Sequence, residues 1–587
     1  MIAQNLFKHK HYEVPPFLCD EDIVNKMENL LRDIGEPILL VLDDVWSGSE
    51  FIIKHLQLKL LDYKILVTSR FAFQGFGNPY YLKPLTTEDA TRLFRHFVPQ
   101  LDSYCTTKQH KKLVKKIVKL CGGFPLVLML VGGSLSGQPI NIWKNRERKW
   151  SKLGKFALSD EANLLDKLGE LLEVLGTEEI IKECFMDLSL FPEDQKIPAA
   201  ALIDMFEELH ELDEDDGDAM NYICELEARN LADIVVTRKL ADDLDNYYNY
   251  HFITQHDLLR EVAIKQNSNG PVVQRKRLIV EIGESNLPEW WTEKNSASRL
   301  SISTGENNFN PSSCNIEFTE VEVLVLNLRT KNYSLPLFLD KMSKVKVLIV
   351  TNYHSSLSEL KSMELLSSLC NLRRIRLEKV SVTSFVELKN LKKLSLFMCN
   401  VSQAFGDSSH LISKPLPNLL EMNVDYCNDM VTLPKWLSDT SLLKKLSITN
   451  CHKISLLPEQ MSKLKNLEVL RLNSCTDLEE LPADAIRSLH KLSILDVSYC
   501  VSLRKLPENF GDLHGLRKVY MSCCPRIWKL PSSITKMKQL DDVICDEEIA
   551  ALWEVWKPIL KDLNIVVPKV DINLNWLQSR FPKVSLF

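Results

Sequence analysis

Between Leu419 and Pro531 the chain repeats one pattern five times at a step of 24 or 25 residues, and that regularity restricts the fold more than any other feature. The units read L-x-x-L-x-L-x-x-C: Leu419, Met422, Val424 and Cys427, then Leu443, Leu446, Ile448 and Cys451, then Leu467, Leu470, Leu472 and Cys475. Leu492, Leu495, Val497 and Cys500 make a fourth, and Leu516, Val519, Met521 and Cys524 a fifth. Each unit then reaches a Leu-Pro pair, at Pro434, Pro458, Pro482, Pro507 and Pro531. A unit this short cannot bury an apolar face by itself, so its neighbours must cover it and the array must stack.

The period falls in the leucine-rich-repeat range, and the L-x-L pairs predict short parallel strands in a curved solenoid. Cys399, Cys427, Cys451, Cys475, Cys500 and Cys524 are expected to form a core ladder of small apolar side chains rather than a metal or redox site. Weaker copies at Leu324, Val347, Leu372 and Leu391 place the start of the array near residue 297, and it fades at Leu540, Val543 and Cys545. Beyond it, "LWEVWKPIL" and "VDINLNWLQSRF" read as a tail whose tryptophans cap the last repeat. Such an array is a binding platform with variable exposed strand positions, and no catalytic constellation sits on it.

At 587 residues the chain is long enough for about three or four domains. Its 45% hydrophobic and 26% charged residues fit a globular protein rather than a disordered, collagenous or membrane one. A net charge of -6 offers no global footprint for nucleic acid, and none is predicted as a partner. The basic stretch "KQHKKLVKKIVK" (Lys108 to Lys119) reads as the solvated face of a helix held by Leu113, Ile117 and Leu120. No run is long enough to span a membrane, the N-terminus has no signal-peptide core, and the 15 cysteines show no CxxC spacing. Reduced thiols and a cytosolic or nuclear location are therefore expected.

In the N-terminal half, "ILLVLDDVW" reads as a fully buried strand tipped by Asp43 and Asp44, where a nucleotide-dependent protein keeps its magnesium ligand. Asp20 is expected to cap a preceding helix with Ile23, Met27, Leu30, Leu31 and Ile34 on one face. "KILVT" (Lys64 to Thr68) predicts a second buried strand, ending in Ser69-Arg70, and "YYL" (Tyr80 to Leu82) a third. Strands alternating with helices suggest a parallel sheet with its ligand at the carboxyl ends. The acidic run Glu207 to Asp218 reads as a solvated loop or helix end, and its spacing does not fit a calcium loop.

The ordered set "LLVLDDVW", "KILVTSR", "CGGFPLVLMLVGG", "CFMDLSLFPED" and "QHDLLREVAI", followed by the repeats, resembles the nucleotide-binding leucine-rich-repeat disease-resistance proteins of plants, which are intracellular immune receptors. The resemblance runs from about residue 20 to the end. It implies a multidomain α/β plus α fold: a partial P-loop-type parallel sheet, helical and winged-helix subdomains, then a leucine-rich-repeat solenoid. The expected boundaries are 1–82 for the nucleotide-binding remnant, 83–172 helical, 173–270 winged helix, 271–296 linker, 297–546 repeats and 547–587 capping tail. The family's G-x-x-x-x-G-K-[ST] loop occurs nowhere in the sequence. It is expected to belong upstream of Met1, with the chain beginning after it, and the family's N-terminal signalling domain is expected to be absent as well.

Residue by residue, the resemblance implies that Asp43 holds magnesium through water and Asp44 polarises a water. It implies that Arg70 senses the γ-phosphate, that Pro125 packs on adenine, and that His256 meets the β-phosphate of ADP. Gln255-His256-Asp257 stands where most of the family has Met-His-Asp, and Gln there resembles the helper subclass with a powdery-mildew-resistance-type coiled coil. The plain alternatives are a bare strand-end carboxylate pair, a surface arginine, an ordinary helix start and a structural histidine.

The expected function is a plant immune receptor or helper in defence, working as an ADP/ATP-dependent switch, with magnesium, rather than as an enzyme. Its expected partners are other immune receptors or signalling proteins bound through the repeats, with oligomers forming on activation. The alternative is a relative without nucleotide control that serves as a repeat-based interaction module, decoy or partner of full-length receptors.

Overall fold

The structure is a computed structural model. Single positions aside, it describes residues 28–32, 37–101, 107–156, 161–174, 178–212, 217–237, 248–282, 295–305, 318–406 and 416–568. These fall into two compact units, one ending at Pro84 and one running from Leu85.

In the first unit, β1 (Ile38–Leu42) and β2 (Tyr63–Val67) pair in parallel, Ile38 opposite Tyr63 and Leu42 opposite Val67, with helix α1 (Glu50–His55) between them in sequence. Leu31, Leu42, Ile53 and Leu56 form its core. The strands were expected to be buried on both faces, but only one face is covered: Leu39, Val41 and Leu66 are 59, 52 and 51% exposed. Tyr80 to Leu82 is not a strand, because no described strand lies beside it, and its side chains are exposed. The helix expected from Asp20 lies mostly outside the described residues.

The second unit opens with helices α2 (Thr87–Phe97), α3 (Lys108–Leu120), α4 (Pro125–Leu135), α5 (Ile140–Leu153) and α6 (Glu161–Val174). Thr86 and Thr107 cap α2 and α3 by accepting from the amides of Asp89 and His110. Helix α4 is apolar on nearly all sides and is accordingly the central, buried one. It is preceded by Gly122 and Gly123, both at positive φ; a Cβ on Gly122 would lie 2.3 Å from the Phe156 carbonyl oxygen.

Next come α7 (Glu179–Asp187), β3 (Ile197–Pro198), α8 (Ala199–His210), α9 (Asp218–Ala228), β4 (Asp233–Val236), β5 (His251–Thr254) and α10 (Asp257–Ser268). The three strands pair antiparallel in the order β3-β5-β4, which with these helices makes the expected winged helix.

Most of the remainder is, among the described residues, a parallel sheet of thirteen strands wound as a solenoid. It starts with β6 (Arg277–Ile282) and β7 (Arg299–Thr304), so its first strand lies inside the stretch 271–296 expected to be a linker. The main series continues with β8 (Val323–Leu328), β10 (Val347–Asn352), β12 (Arg374–Glu378), β14 (Lys393–Phe397), β15 (Glu421–Asp425) and β16 (Lys445–Thr449). It closes with β17 (Val469–Arg471), β18 (Ile494–Asp496), β19 (Lys518–Tyr520), β20 (Asp542–Ile544) and β21 (Asn564–Val566). Between these, β9 (Asn332–Ser334), β11 (Ser358–Lys361) and β13 (Val380–Ser381) form a small second sheet.

The cysteine ladder is as expected, and each thiol has a specific partner. Cys427, Cys451, Cys475, Cys500 and Cys524 donate to the carbonyls of Leu396, Val424, Ile448, Leu472 and Val497, each one repeat back. The residue before each, Tyr426, Asn450, Ser474, Tyr499 or Cys523, has positive φ. Several of these costly conformations are held by a bond to the next repeat, such as Tyr426 N–H to Thr449 O at 3.1 Å and Ser474 N–H to Ser498 O at 2.8 Å. At the far end Trp553 is fully buried and its indole donates to the Met521 sulfur, while "VDINLNWLQSRF" lies outside the described residues. Among the described residues no helix is long and apolar enough to cross a membrane.

Candidate functional site

In the first unit the parallel register sets the ends of β1 and β2 side by side, and Thr68 ties the acidic tip together. Its hydroxyl donates to the Asp43 carboxylate and accepts from the Asp44 amide at 2.8 Å. Asp44 holds a positive φ of 52° and its carboxylate lies 3.9 Å from Arg70 Nε. Asp43, Asp44 and Arg70 are thus brought together by the two strands, with Thr68 as an organiser that the sequence reading missed. The second oxygen of Asp43 has no hydrogen bond among the described residues, which leaves it able to hold a hydrated cation.

In the second unit Pro125 is the first residue of α4, a position that suits its fixed φ and missing N–H. His256 caps α10: its Nδ1 accepts from the Leu258 amide at 3.2 Å, so the ring proton resides on Nε2 and the exposed edge is a donor. Beside it, both amide atoms of Gln255 are buried without a hydrogen-bond partner. A donor edge next to an orphaned buried amide fits an anionic ligand with acceptor and donor groups, which a nucleotide has.

The same winged helix is fastened to the solenoid by two buried ionic clusters that no sequence motif announced. In one, Asp187 is fully buried and accepts from Arg277 Nε at 2.6 Å and Arg299 Nε at 3.1 Å, while Glu183 accepts from Arg277 at 2.7 Å. Burial alone would push the Glu183 carboxyl up, but Arg277 and Lys276 outweigh it and hold it down at about 2. In the other, Arg374 meets Glu208 at 3.0 Å, Asp204 at 3.2 Å and Glu207 at 2.8 Å, and Lys393 meets Asp204 at 3.0 Å. Glu207 and Glu208 are therefore buried and paired rather than part of a solvated end, because the strand arginine reaches them. Between the clusters Val323, Val325, Val347 and Ile349, at strand positions facing away from the repeat core, join the core of the winged helix. Ser301 and Asn327 close the contact by donating to the Leu190 carbonyl.

The chain is 41% identical over 589 residues to "Probable disease resistance protein At5g66900" of Arabidopsis thaliana, covering 98% of this chain and 71% of that one. The chain belongs to the plant disease-resistance protein family. Two further family members from the same plant match it: "Disease resistance protein ADR1" at 34% identity over 94% of this chain and 70% of its own length, and "Probable disease resistance protein At5g66890" at 38% over 68% of this chain and 96% of its own. The chain spans 55 to 71% of the length of the first curated relatives it matches. No family model matches. A solved structure, the leucine-rich repeat domain of the type III effector XCV3220 (XopL), overlaps at a TM-score of 0.28 with 19% identity, over 48% of this chain and 78% of that one. The solenoid of this disease-resistance protein rests on its own strand register.

What the sequence reading of this disease-resistance protein missed had a signal. "VLVLNL" and "VLIVTN" are apolar without alternation, the mark of strands covered on both faces. Leu-x-Leu strands facing water on one side would carry polar residues at Val323, Val325, Val347 and Ile349.

Proposed function

We propose that this chain acts in plant defence as an immune receptor or helper whose winged helix is a nucleotide-governed switch, with the repeats as its protein-binding surface. The observation that carries the reading is the double attachment of one subdomain. At α10 it presents the His256 donor edge beside the orphaned Gln255 amide, and through α7 and α8 it is ion-paired to the solenoid. When bound, a nucleotide supplies a diphosphate, whose negative charge a neutral imidazole N–H can contact. Within the second unit His256 would hold that group and Pro125 would flank its base; within the first unit Asp43, Asp44 and Arg70 would serve a metal and a phosphate. The residues do no bond-breaking in this reading; a ligand that favours one arrangement shifts the balance between docked and released winged helix. Cytosolic or nuclear placement and assembly on activation belong to the same proposal.

The test is the ADP content of the purified protein beside that of His256→Ala, measured by chromatography after denaturation. Stoichiometric ADP that drops in the variant supports the switch. Absence of nucleotide from both proteins removes it, and leaves a repeat-based interaction module or decoy.

A further inference from the structure

Helices α3 and α5 pack against each other and share a charge pattern at odds with a chain of net charge -6. Helix α3 carries Lys108, Lys111, Lys112, Lys115, Lys116 and Lys119 and no acid, all exposed, while Val114, Ile117 and Val118 face the core. Helix α5 turns Trp143 and Trp150 inward and leaves Lys144, Arg148, Lys149 and Lys152 exposed. Its one acid, Glu147, is spent at the seam: Lys116 Nζ lies 2.7 Å from it and Ser151 also donates to it. That bridge fixes which edges of the helices meet. Lys112, Lys115 and Lys119 on one side and Lys144, Arg148 and Lys152 on the other, spaced three or four residues apart, therefore form one continuous basic surface. Apart from Lys116, none of these cations is taken up by an ion pair among the described residues.

We propose that this two-helix face docks on an anionic lipid surface. The charges spread in two dimensions, about 6 Å apart along each axis and about 9 Å between axes, which suits a flat field of headgroups better than a single phosphate strand. Five of the six are lysines, compact point charges rather than the bidentate forks that read nucleic acid. Among its described residues the face offers no exposed aromatic side chain on which bases could stack, since both tryptophans of α5 are buried. With no exposed apolar wedge among the described residues either, the contact is adsorption without insertion, so it weakens with salt.

The experiment is co-sedimentation of the full chain with phosphatidylcholine vesicles, with and without phosphatidylserine, at low and raised salt. Binding that requires phosphatidylserine and fades with salt is expected. At roughly fivefold per cation near the surface, K112E/K115E/K144E/R148E should lose at least about a hundredfold in partitioning. K112R/K115R, which keeps the charge, should bind as wild type, and an unchanged melting curve for both variants shows that the fold is intact. No phosphatidylserine-dependent binding, or undiminished binding by the reversed variant, overturns the proposal. So does preferential binding to duplex DNA through the same residues, which would assign the face to nucleic acid.

Discussion

Arg374 Nη1 lies 3.2 Å from Asp204 Oδ1, joining a repeat strand to a winged-helix helix across 170 residues of sequence. Both side chains are almost wholly buried. Neither charge has water to fall back on if the other is removed, so this contact is strong in the sense of being expensive to break, whatever its net worth.

Arg374→Ala leaves Asp204, Glu207 and Glu208 short of a cation and should cost about 3–5 kcal/mol of interface stability. Hydrogen exchange should accelerate in 199–210 and in β8 and β10 together. Exchange rates identical to wild type would show that the cluster does not hold the winged helix in place.

Acid should loosen the same interface. The Glu183 and Glu421 carboxyls sit at about 2 in the folded protein against 4.5 in the unfolded chain, since the Arg277 and Lys276 charges, and those of Lys393 and Lys445, overcome burial. A depressed carboxyl contributes stability that is complete above about pH 4.5 and disappears as pH falls toward 2. Melting temperatures between pH 5 and pH 3 should therefore drop steeply, and Glu183→Gln should flatten part of that slope.

Thiol chemistry should divide the cysteines. Burial raises the thiols of Cys451, Cys475, Cys500 and Cys524, and each donates to a backbone carbonyl, so they stay protonated and out of reach. Cys224, Cys370 and Cys523 are exposed. Among the described cysteines, brief alkylation of the native protein followed by peptide mapping should label those three and reach the ladder only in denaturant.

Two glycines with positive φ should respond differently to alanine. Gly137 faces open space, so Gly137→Ala should cost only the left-handed backbone strain, about 1–2 kcal/mol. At Gly122 the new methyl meets the Phe156 carbonyl as well, and the drop in melting temperature should be clearly larger. Equal shifts would mean that the turn before α4 relaxes freely.

The solenoid was legible because its determinants are local: a leucine every few residues and a cysteine at each turn are visible within one 24-residue window. The winged-helix clamp was not, because Arg374 and Asp204 mean nothing to each other in sequence and only the fold introduces them. Only the unbroken apolar runs of β8 and β10 hinted that something would cover both faces. Tyr80 to Leu82 was misread for the opposite reason: three apolar residues suit a strand, but strand formation needs a neighbour to pair with. At the acidic tip Asp43, Asp44 and Arg70 were visible as strand ends, whereas Thr68 became significant only once the register placed it between the two acids.

The backward reach of each cysteine gives the array a direction. Cys475 serves the unit before it, and Cys500 in turn serves the unit that holds Cys475. Cutting a fraction of a unit from the middle would strand an acceptor on one side and a donor on the other, whereas inserting or removing a whole unit leaves every thiol with a carbonyl to meet. The array is therefore free to change length in whole steps and resistant to change in any other, like a chain of identical links.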